Sequence, residues 1–168
     1  MDTLNYSTGS IIQLDGVKHC DIVLDTHRVV GLIASQDESR NKKTCKLFLA
    51  DLRAMPLHPV TEKPASYTLI HQPIYPIDIS QMKERLQKLR PKYEGTEYNI
   101  IQNNCQHFAW ELITGERKSP DADKWKMLGP FSNAVGAIKD FGSTNSSESL
   151  VDINPFQENF SLFLMTQL

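Results

Sequence analysis

The sequence has almost no net charge and no long apolar run. Among its 168 residues, 18 Lys and Arg stand against 20 Asp and Glu, so no basic excess is present to hold a polyphosphate backbone. We therefore predict that nucleic acid is not the primary partner. No stretch of about 18 apolar residues occurs, and the N-terminal segment of about twenty residues already contains Asp2 and Asp15. We expect no signal peptide and no spanning helix, and a cytoplasmic location that allows peripheral contact with membranes.

Cysteine is scarce as well. The chain has three, Cys20, Cys45 and Cys105, an odd number without a C-x-x-C pair. This spacing supports neither a disulfide framework nor a structural zinc site, and a metal site built from His19, Cys20 and Cys45 has no supporting spacing either. We expect free thiols, one of them reactive, with no metal and no cofactor.

Short apolar runs of alternating character predict strands in the first half of the chain. Four such runs lie between residues 9 and 50, and a fifth covers residues 67–71. Residues 25–28 are short enough to close a hairpin, whereas the polar residues 35–43 predict a surface loop. The prolines between residues 51 and 66 resist any regular element.

Helical patterns follow the strands. Asp78 is a suitable N-cap for an amphipathic helix of about three turns that we expect to stop before Pro91. Residues 97–101 predict a further short strand. Asn103-Asn104 can then cap a second helix, which places Cys105 in its first turn and Gly115 at its C-terminal left-handed position. The pattern predicts an α+β fold in which an antiparallel β-sheet packs against helices.

Cys105 is the strongest candidate for chemistry, because the start of a helix lowers the pKa of a thiol. His107 lies about 200° around the helix from Cys105, so we expect it to face solvent or a loop. His19 is the better base, because it opens a strand on which His19, Asp21 and Val23 share one face. A buried unreactive cysteine and a merely structural histidine remain the alternative interpretation of these residues.

Two segments resemble the H-box and NC motifs of the lecithin:retinol acyltransferase-like (LRAT-like) family. They are GSIIQLDGVKHCDIVLDTHRVVGLIA at residues 9–34 and NNCQHFAWELITG at residues 103–115. The resemblance covers residues 9–120 and implies a circularly permuted NlpC-type, papain-like fold. It implies that Cys105 attacks an acyl ester to form a thioester and that His19 is the general base. Backbone N–H groups near the helix start, with Asn104 and Gln106 as motif support, would stabilise the oxyanion.

The resemblance fails at one position, because Gly31 stands where many family members carry a second histidine. A third group that orients the imidazole would then have to come from elsewhere. Asp21 is a candidate since it shares a strand face with His19, and His71 and Ser35 are others. Gln106 replaces a frequent glutamate, which is a milder change.

Two functional hypotheses follow. The preferred one is a thiol acyltransferase or phospholipase-type hydrolase that takes a lipid or acyl-ester substrate. The alternative is a weak or inactive LRAT-like domain that serves as a protein- or membrane-interaction module. We expect the domain to occupy residues 1–120, followed by an extension at residues 121–168 with a helix near residues 128–141 and a Ser-rich linker. No oligomeric state is predicted.

Overall fold

The computed structural model describes residues 4–16, 18–37, 39, 41–51, 66–99 and 102–120. In this part of the chain, five strands precede two helices. The elements are β1 (Ile11–Leu14), β2 (His19–Val23), β3 (Arg28–Asp37), β4 (Lys42–Asp51), β5 (Tyr67–His71), α1 (Ile79–Tyr93) and α2 (Cys105–Thr114). The predicted α+β class, with an antiparallel sheet against helices, is confirmed. The division into residues 1–120 and an extension stays a prediction, because residues 121–168 lie outside the described part.

All neighbouring strands of the sheet are antiparallel, and the strand order is β4-β3-β2-β1-β5. The central strand is therefore β2, which carries His19 and Asp21. The hairpin predicted at residues 25–28 joins β2 to β3. Its turn is held by the Asp25 carboxylate, which accepts hydrogen bonds from the backbone N–H groups of His27 and Arg28 at 2.9 and 2.8 Å.

The loop predicted at residues 35–43 is wrong in its extent. The β3–β4 ladder continues through the pairs Ser35↔Thr44 and Asp37↔Lys42, so that only the tip of the hairpin is a turn. Asn41 lies in this tip with φ 49°, the left-handed region that asparagine tolerates. The outer ends of β3 and β4 extend beyond the core, so both faces of the ladder can be polar there. This polar composition is what indicated a loop.

The sheet buries apolar side chains on both of its faces. The helix-covered face packs against α1 and α2 through Ile22, Leu32, Leu47, Met82 and Phe108, among others. On the opposite face, a smaller cluster contains Ile12, Val23, Val29, Phe48 and Ala50. His19 and Asp21 alternate with Cys20 and Ile22 along β2, so their side chains belong to this second face.

Helix α1 begins as predicted, since the Asp78 side chain accepts a hydrogen bond from the Ser80 N–H at 2.8 Å. The expected end before Pro91 is wrong, because the helix includes Pro91 and ends at Tyr93. Tyr93 is fully buried, packs edge-on against Phe108 with ring centroids 5.3 Å apart, and donates to Glu111 Oε2 at 2.6 Å. These contacts hold the last turn in place despite the missing N–H of the proline.

Helix α2 matches its prediction at both ends. The Asn104 side chain accepts from the His107 N–H at 3.0 Å, and Gly115 closes the helix with φ 77°. The strand expected at residues 97–101 is reduced, in the described residues, to the isolated bridges Thr44↔Glu97 and Asn99↔Asn103. The predicted helix near residues 128–141 and most of the proline-rich segment at residues 51–66 lie outside the described part.

Candidate active site

His19 is held at the first position of β2, between β1 and β3. Its backbone pairs with Leu14, and its side chain is buried, with 7% of the residue exposed. The imidazole stacks on the ring of Phe48 from β4, with centroids 5.9 Å apart and planes inclined by 26°. A histidine at the end of a central strand is thus fixed by the sheet and by an aromatic neighbour.

Cys105 is the first residue of α2, and the thiol lies beside the start of β2. Its Sγ atom is 3.9 Å from the Lys18 carbonyl oxygen, and the residue is 4% exposed. The thiol also hydrogen-bonds with the His19 side chain and accepts from the Cys20 backbone N–H. The helix start and the strand start therefore bring Cys105 and His19 into direct contact.

Each member of this pair stabilises the charged form of the other. Burial raises the pKa of the Cys105 thiol, but the hydrogen bond and charge of His19 and the Cys20 N–H lower that pKa overall. Burial likewise lowers the pKa of His19, but the charge and hydrogen bond of Asp21, together with Cys105, raise it to about 10. A thiolate next to an imidazolium is the form that these surroundings favour.

Asp21 supports His19 from the other side. Its Oδ1 accepts a hydrogen bond from His19 Nε2 at 2.9 Å, and its Oδ2 accepts from the Tyr67 hydroxyl at 3.1 Å. The carboxylate is completely buried. Of the three side chains considered for a third group, Asp21 is the one that the structure places at the imidazole.

Gly31 explains how Asp21 fits. It pairs with Asp21 across β2 and β3, and a Cβ at this position would lie 2.3 Å from Asp21 Oδ1 and 2.6 Å from Phe48 Cε1. No side chain fits there, since both distances are well inside van der Waals contact. The space of the expected second histidine is therefore taken by the carboxylate of Asp21 and the ring of Phe48.

The other two candidates for the third group lie elsewhere. His71 pairs with Ile11 at the far end of β1, and its ring packs on Trp110 of α2 with centroids 4.9 Å apart. Ser35 pairs with Thr44, four residues along β3 from Gly31 and hence about 13 Å away. Neither residue is brought to the His19 imidazole.

Asn104 and Gln106 meet in a buried hydrogen-bond network at the start of α2. The Asn104 amide donates to the Ser119 hydroxyl at 3.2 Å, and this hydroxyl donates to Gln106 Oε1 at 2.8 Å. Ser119 is fully buried. The network anchors the first turn of α2. His107 was expected to face solvent or a loop; it is buried, with 4% of the residue exposed, so that the expected exposure to solvent is wrong.

Two tyrosines belong to the site and were missed by sequence reasoning. Tyr67 opens β5 and donates to Asp21, while Tyr98 hydrogen-bonds with the Cys105 thiol and accepts from the Cys105 backbone N–H. The register of β1 against both β2 and β5, which pairs Leu14 with His19 and with Tyr67, would have pointed to Tyr67. No pattern in the sequence indicates Tyr98, since its segment forms only isolated bridges.

The described residues contain no group of three or more His, Cys, Asp and Glu side chains that could hold a metal ion. Nor do these residues include a helix that is both long enough and apolar enough to cross a bilayer.

Comparison with known proteins gives one family match. The model of a family described as "PPPDE putative peptidase domain" matches residues 55–121, about two fifths of the chain. The matched span contains Cys105 and Tyr98 but not His19. No curated protein and no solved structure matches the chain.

This match corrects the predicted family and function. The similarity is to a peptidase family with a cysteine-peptidase-like fold and not to the LRAT-like family, so that assignment is wrong. The predicted acyltransferase or phospholipase activity is wrong for the same reason, as is the alternative of an inactive LRAT-like module. The H-box and NC resemblance rested on a His-strand and a Cys-helix, which are features that thiol enzymes of different chemistry share.

Proposed function

We propose that the chain is a cysteine peptidase, with Cys105 as nucleophile, His19 as general acid and base, and Asp21 as the group that orients His19. One observation carries the proposal: the His19 imidazole lies between the Cys105 thiol and the buried Asp21 carboxylate. The similarity of residues 55–121 to a peptidase family supports an amide as the substrate. We also propose the finer classification of a circularly permuted papain-like arrangement, in which the His strand precedes the Cys helix along the chain.

The geometry suits hydrolysis in two steps. The Cys105 thiolate forms a C–S bond to the amide carbonyl carbon while the C=O π pair moves to oxygen. The tetrahedral intermediate collapses to a thioester as the C–N bond breaks, and the leaving amine takes a proton from His19. Water then attacks the thioester and gives a proton to His19, and the C–S bond breaks to release the acid. Asp21 keeps the imidazole oriented throughout both steps.

A burst experiment tests the first step. The purified full chain is mixed with p-nitrophenyl acetate, and intact mass and peptide mapping locate the acetyl group. We expect acetylation of Cys105 that then decays by hydrolysis, and no such adduct in Cys105→Ser, whereas Cys45→Ser should behave like the original chain. Acetylation spread evenly over the three thiols would contradict Cys105 as nucleophile.

Amide cleavage needs its own test. The chain is assayed on a panel of aminomethylcoumarin amides that includes peptides and the C-termini of ubiquitin and SUMO. We expect release of coumarin from at least one of them, reduced in Cys105→Ser by a factor on the order of 10³ or more. Acetyl turnover at Cys105 without release from any of these amides would overturn the peptidase assignment.

A further inference from the structure

Tyr98 is fixed beside the candidate nucleophile by the backbone around it. Its N–H donates to the Lys43 carbonyl at 2.9 Å, which attaches the residue to β4. The chain then turns back through Asn99 and Asn103, which exchange two backbone hydrogen bonds of 2.9 and 2.7 Å. The Tyr98 ring is partly buried against the core cluster that contains Cys105. The hydroxyl is therefore held at the start of α2 by the strand on one side and the turn on the other.

The hydroxyl makes two contacts with the same residue. It hydrogen-bonds with the Cys105 thiol, and it accepts from the Cys105 backbone N–H. Burial, and after it the nearby Cys105 thiolate, raises the pKa of Tyr98 well above its ordinary value. The phenol thus keeps its proton at neutral pH and is a donor. Its oxygen accepts from an N–H of the first turn of the helix, a place where an anionic oxygen is also stabilised.

The thiolate attacks the carbonyl carbon, and the negative charge moves from sulfur to the oxygen bonded to that carbon. Donors that serve this step must lie about 3 Å from that oxygen. The Cys105 N–H lies at the positive end of α2, in the same residue as the attacking sulfur. An O–H that points at the thiolate before attack can turn to the carbonyl oxygen as the charge moves. Sulfur and this oxygen are bonded to the same carbon in the tetrahedral intermediate, so the two acceptors lie close together.

We propose that the Tyr98 hydroxyl is a catalytic residue that donates to the oxyanion together with the Cys105 backbone N–H. This inference rests on the proposed peptidase function. It assigns the side-chain half of the oxyanion pocket to Tyr98 and not to Gln106, whose Oε1 is held by Ser119 in the network at the start of α2.

Tyr98→Phe separates this role from activation of the thiol. Alkylation by iodoacetamide forms no oxyanion, so we expect the rate at Cys105 to change less than about threefold. Acetylation by p-nitrophenyl acetate passes through an oxyanion and should slow by about 100-fold or more. A short peptide aldehyde, which binds as a hemithioacetal, should protect Cys105 from alkylation in the original chain but not in the variant. Tyr75→Phe is the matched control, because Tyr75 is 82% exposed.

The outcomes are distinct. Unchanged acetylation in Tyr98→Phe would overturn the oxyanion role while leaving Cys105 as nucleophile. An equal loss of alkylation and acetylation would also overturn it, because Tyr98 would then act on the thiol or on the fold, and a thermal unfolding curve tells these two apart. Failure of the original chain to acetylate at Cys105 would instead remove the peptidase proposal itself.

Discussion

Two buried thiols of the same core cluster, Cys45 and Cys105, have opposite properties. They are 2% and 4% exposed. Burial raises the pKa of Cys45, and neither the hydrogen bond to Thr96 nor the charge of Arg117 offsets it. The pKa of Cys105 is lowered in spite of its burial, because His19 lies against the thiol. The Sγ atom of Cys45 instead receives a hydrogen bond from the neutral Asn103 amide, at 3.3 Å.

Burial by itself makes a thiol inert, and a charged partner decides whether a buried thiol is reactive. A neutral amide donor cannot compensate for the cost of placing a thiolate in the core, whereas an imidazolium held by a buried carboxylate can. Variants that weaken the imidazolium or the carboxylate should therefore make Cys105 resemble Cys45.

Removing the imidazole should have the largest effect. In His19→Ala, the Cys105 thiolate loses its counter-charge, and we expect its alkylation by iodoacetamide at pH 7 to slow by roughly 30- to 100-fold, toward the rate of Cys45. Mass spectrometry of the separate peptides gives both rates in one sample. His27→Ala, in the β2–β3 turn, is the control. Alkylation of Cys105 that remains fast without His19 would mean that the helix start alone activates the thiol.

The pH dependence should differ between alkylation and turnover. As pH falls through the lowered pKa of Cys105, the thiolate is protonated and both rates fall. As pH rises through about 10, His19 loses its proton. Cleavage of a coumarin amide, which needs this proton for the leaving amine, should then decline about tenfold per unit, whereas alkylation should not. A decline of turnover that begins near pH 6.5 would show that Asp21 and Cys105 do not raise the pKa of His19.

Gly31→Ala should displace the carboxylate that raises the pKa of His19. The new methyl group would overlap Asp21 Oδ1 and Phe48, so we expect a loss of about 1–3 kcal/mol in the free energy of unfolding and a roughly tenfold slower alkylation of Cys105. Denaturant unfolding and peptide mapping measure the two effects.

Gly16→Ala is the control for strain without a clash. Gly16 has φ 82°, and its Cβ would meet no atom within 4 Å. We expect this variant to be less stable, because alanine is strained at a positive φ, while the alkylation rate of Cys105 stays unchanged. Equal alkylation in both variants would contradict the role given to the Gly31 space.

Tyr67→Phe should have the smallest effect. It removes the donor to Asp21 Oδ2 and leaves the bond from Asp21 Oδ1 to His19 intact. We expect about 1 kcal/mol less stability and a two- to threefold slower turnover of the coumarin amide. Asp21→Asn, which also removes the charge, should be clearly worse. If the two variants proved equally damaging, Tyr67 would be essential for placing Asp21 and not merely supportive.

The strands and helices were predictable where a periodic apolar pattern meets an explicit cap. Asp78, Asn104 and Gly115 mark helix ends through hydrogen bonds that depend on local sequence alone. The polar end of the β3–β4 hairpin was not predictable from composition, because a ladder beyond the core carries no apolar signal. Nor was the passage of α1 through Pro91, which depends on distant contacts of Tyr93.

The site was predictable where its residues are marked by local sequence patterns. Cys105 is marked by its helix start, and His19 and Asp21 by their shared strand face. From the sequence, Gly31 indicates only a missing histidine. A glycine is required there because Asp21 and Phe48 on the two neighbouring strands occupy the space of a side chain, and the sequence does not reveal this pairing. The substrate class was misjudged, since a His-strand and a Cys-helix position a nucleophile without determining which carbonyl compound it attacks.

The contact between the Cys105 thiol and the start of β2 joins residues 87 positions apart in the chain. The contact exists only where β2 and α2 have come together. In the unfolded chain Cys105 is therefore an ordinary thiol, and its pKa is lowered only when both elements are in place. The rate of its alkylation thus reports how much of the protein has this part of the fold assembled.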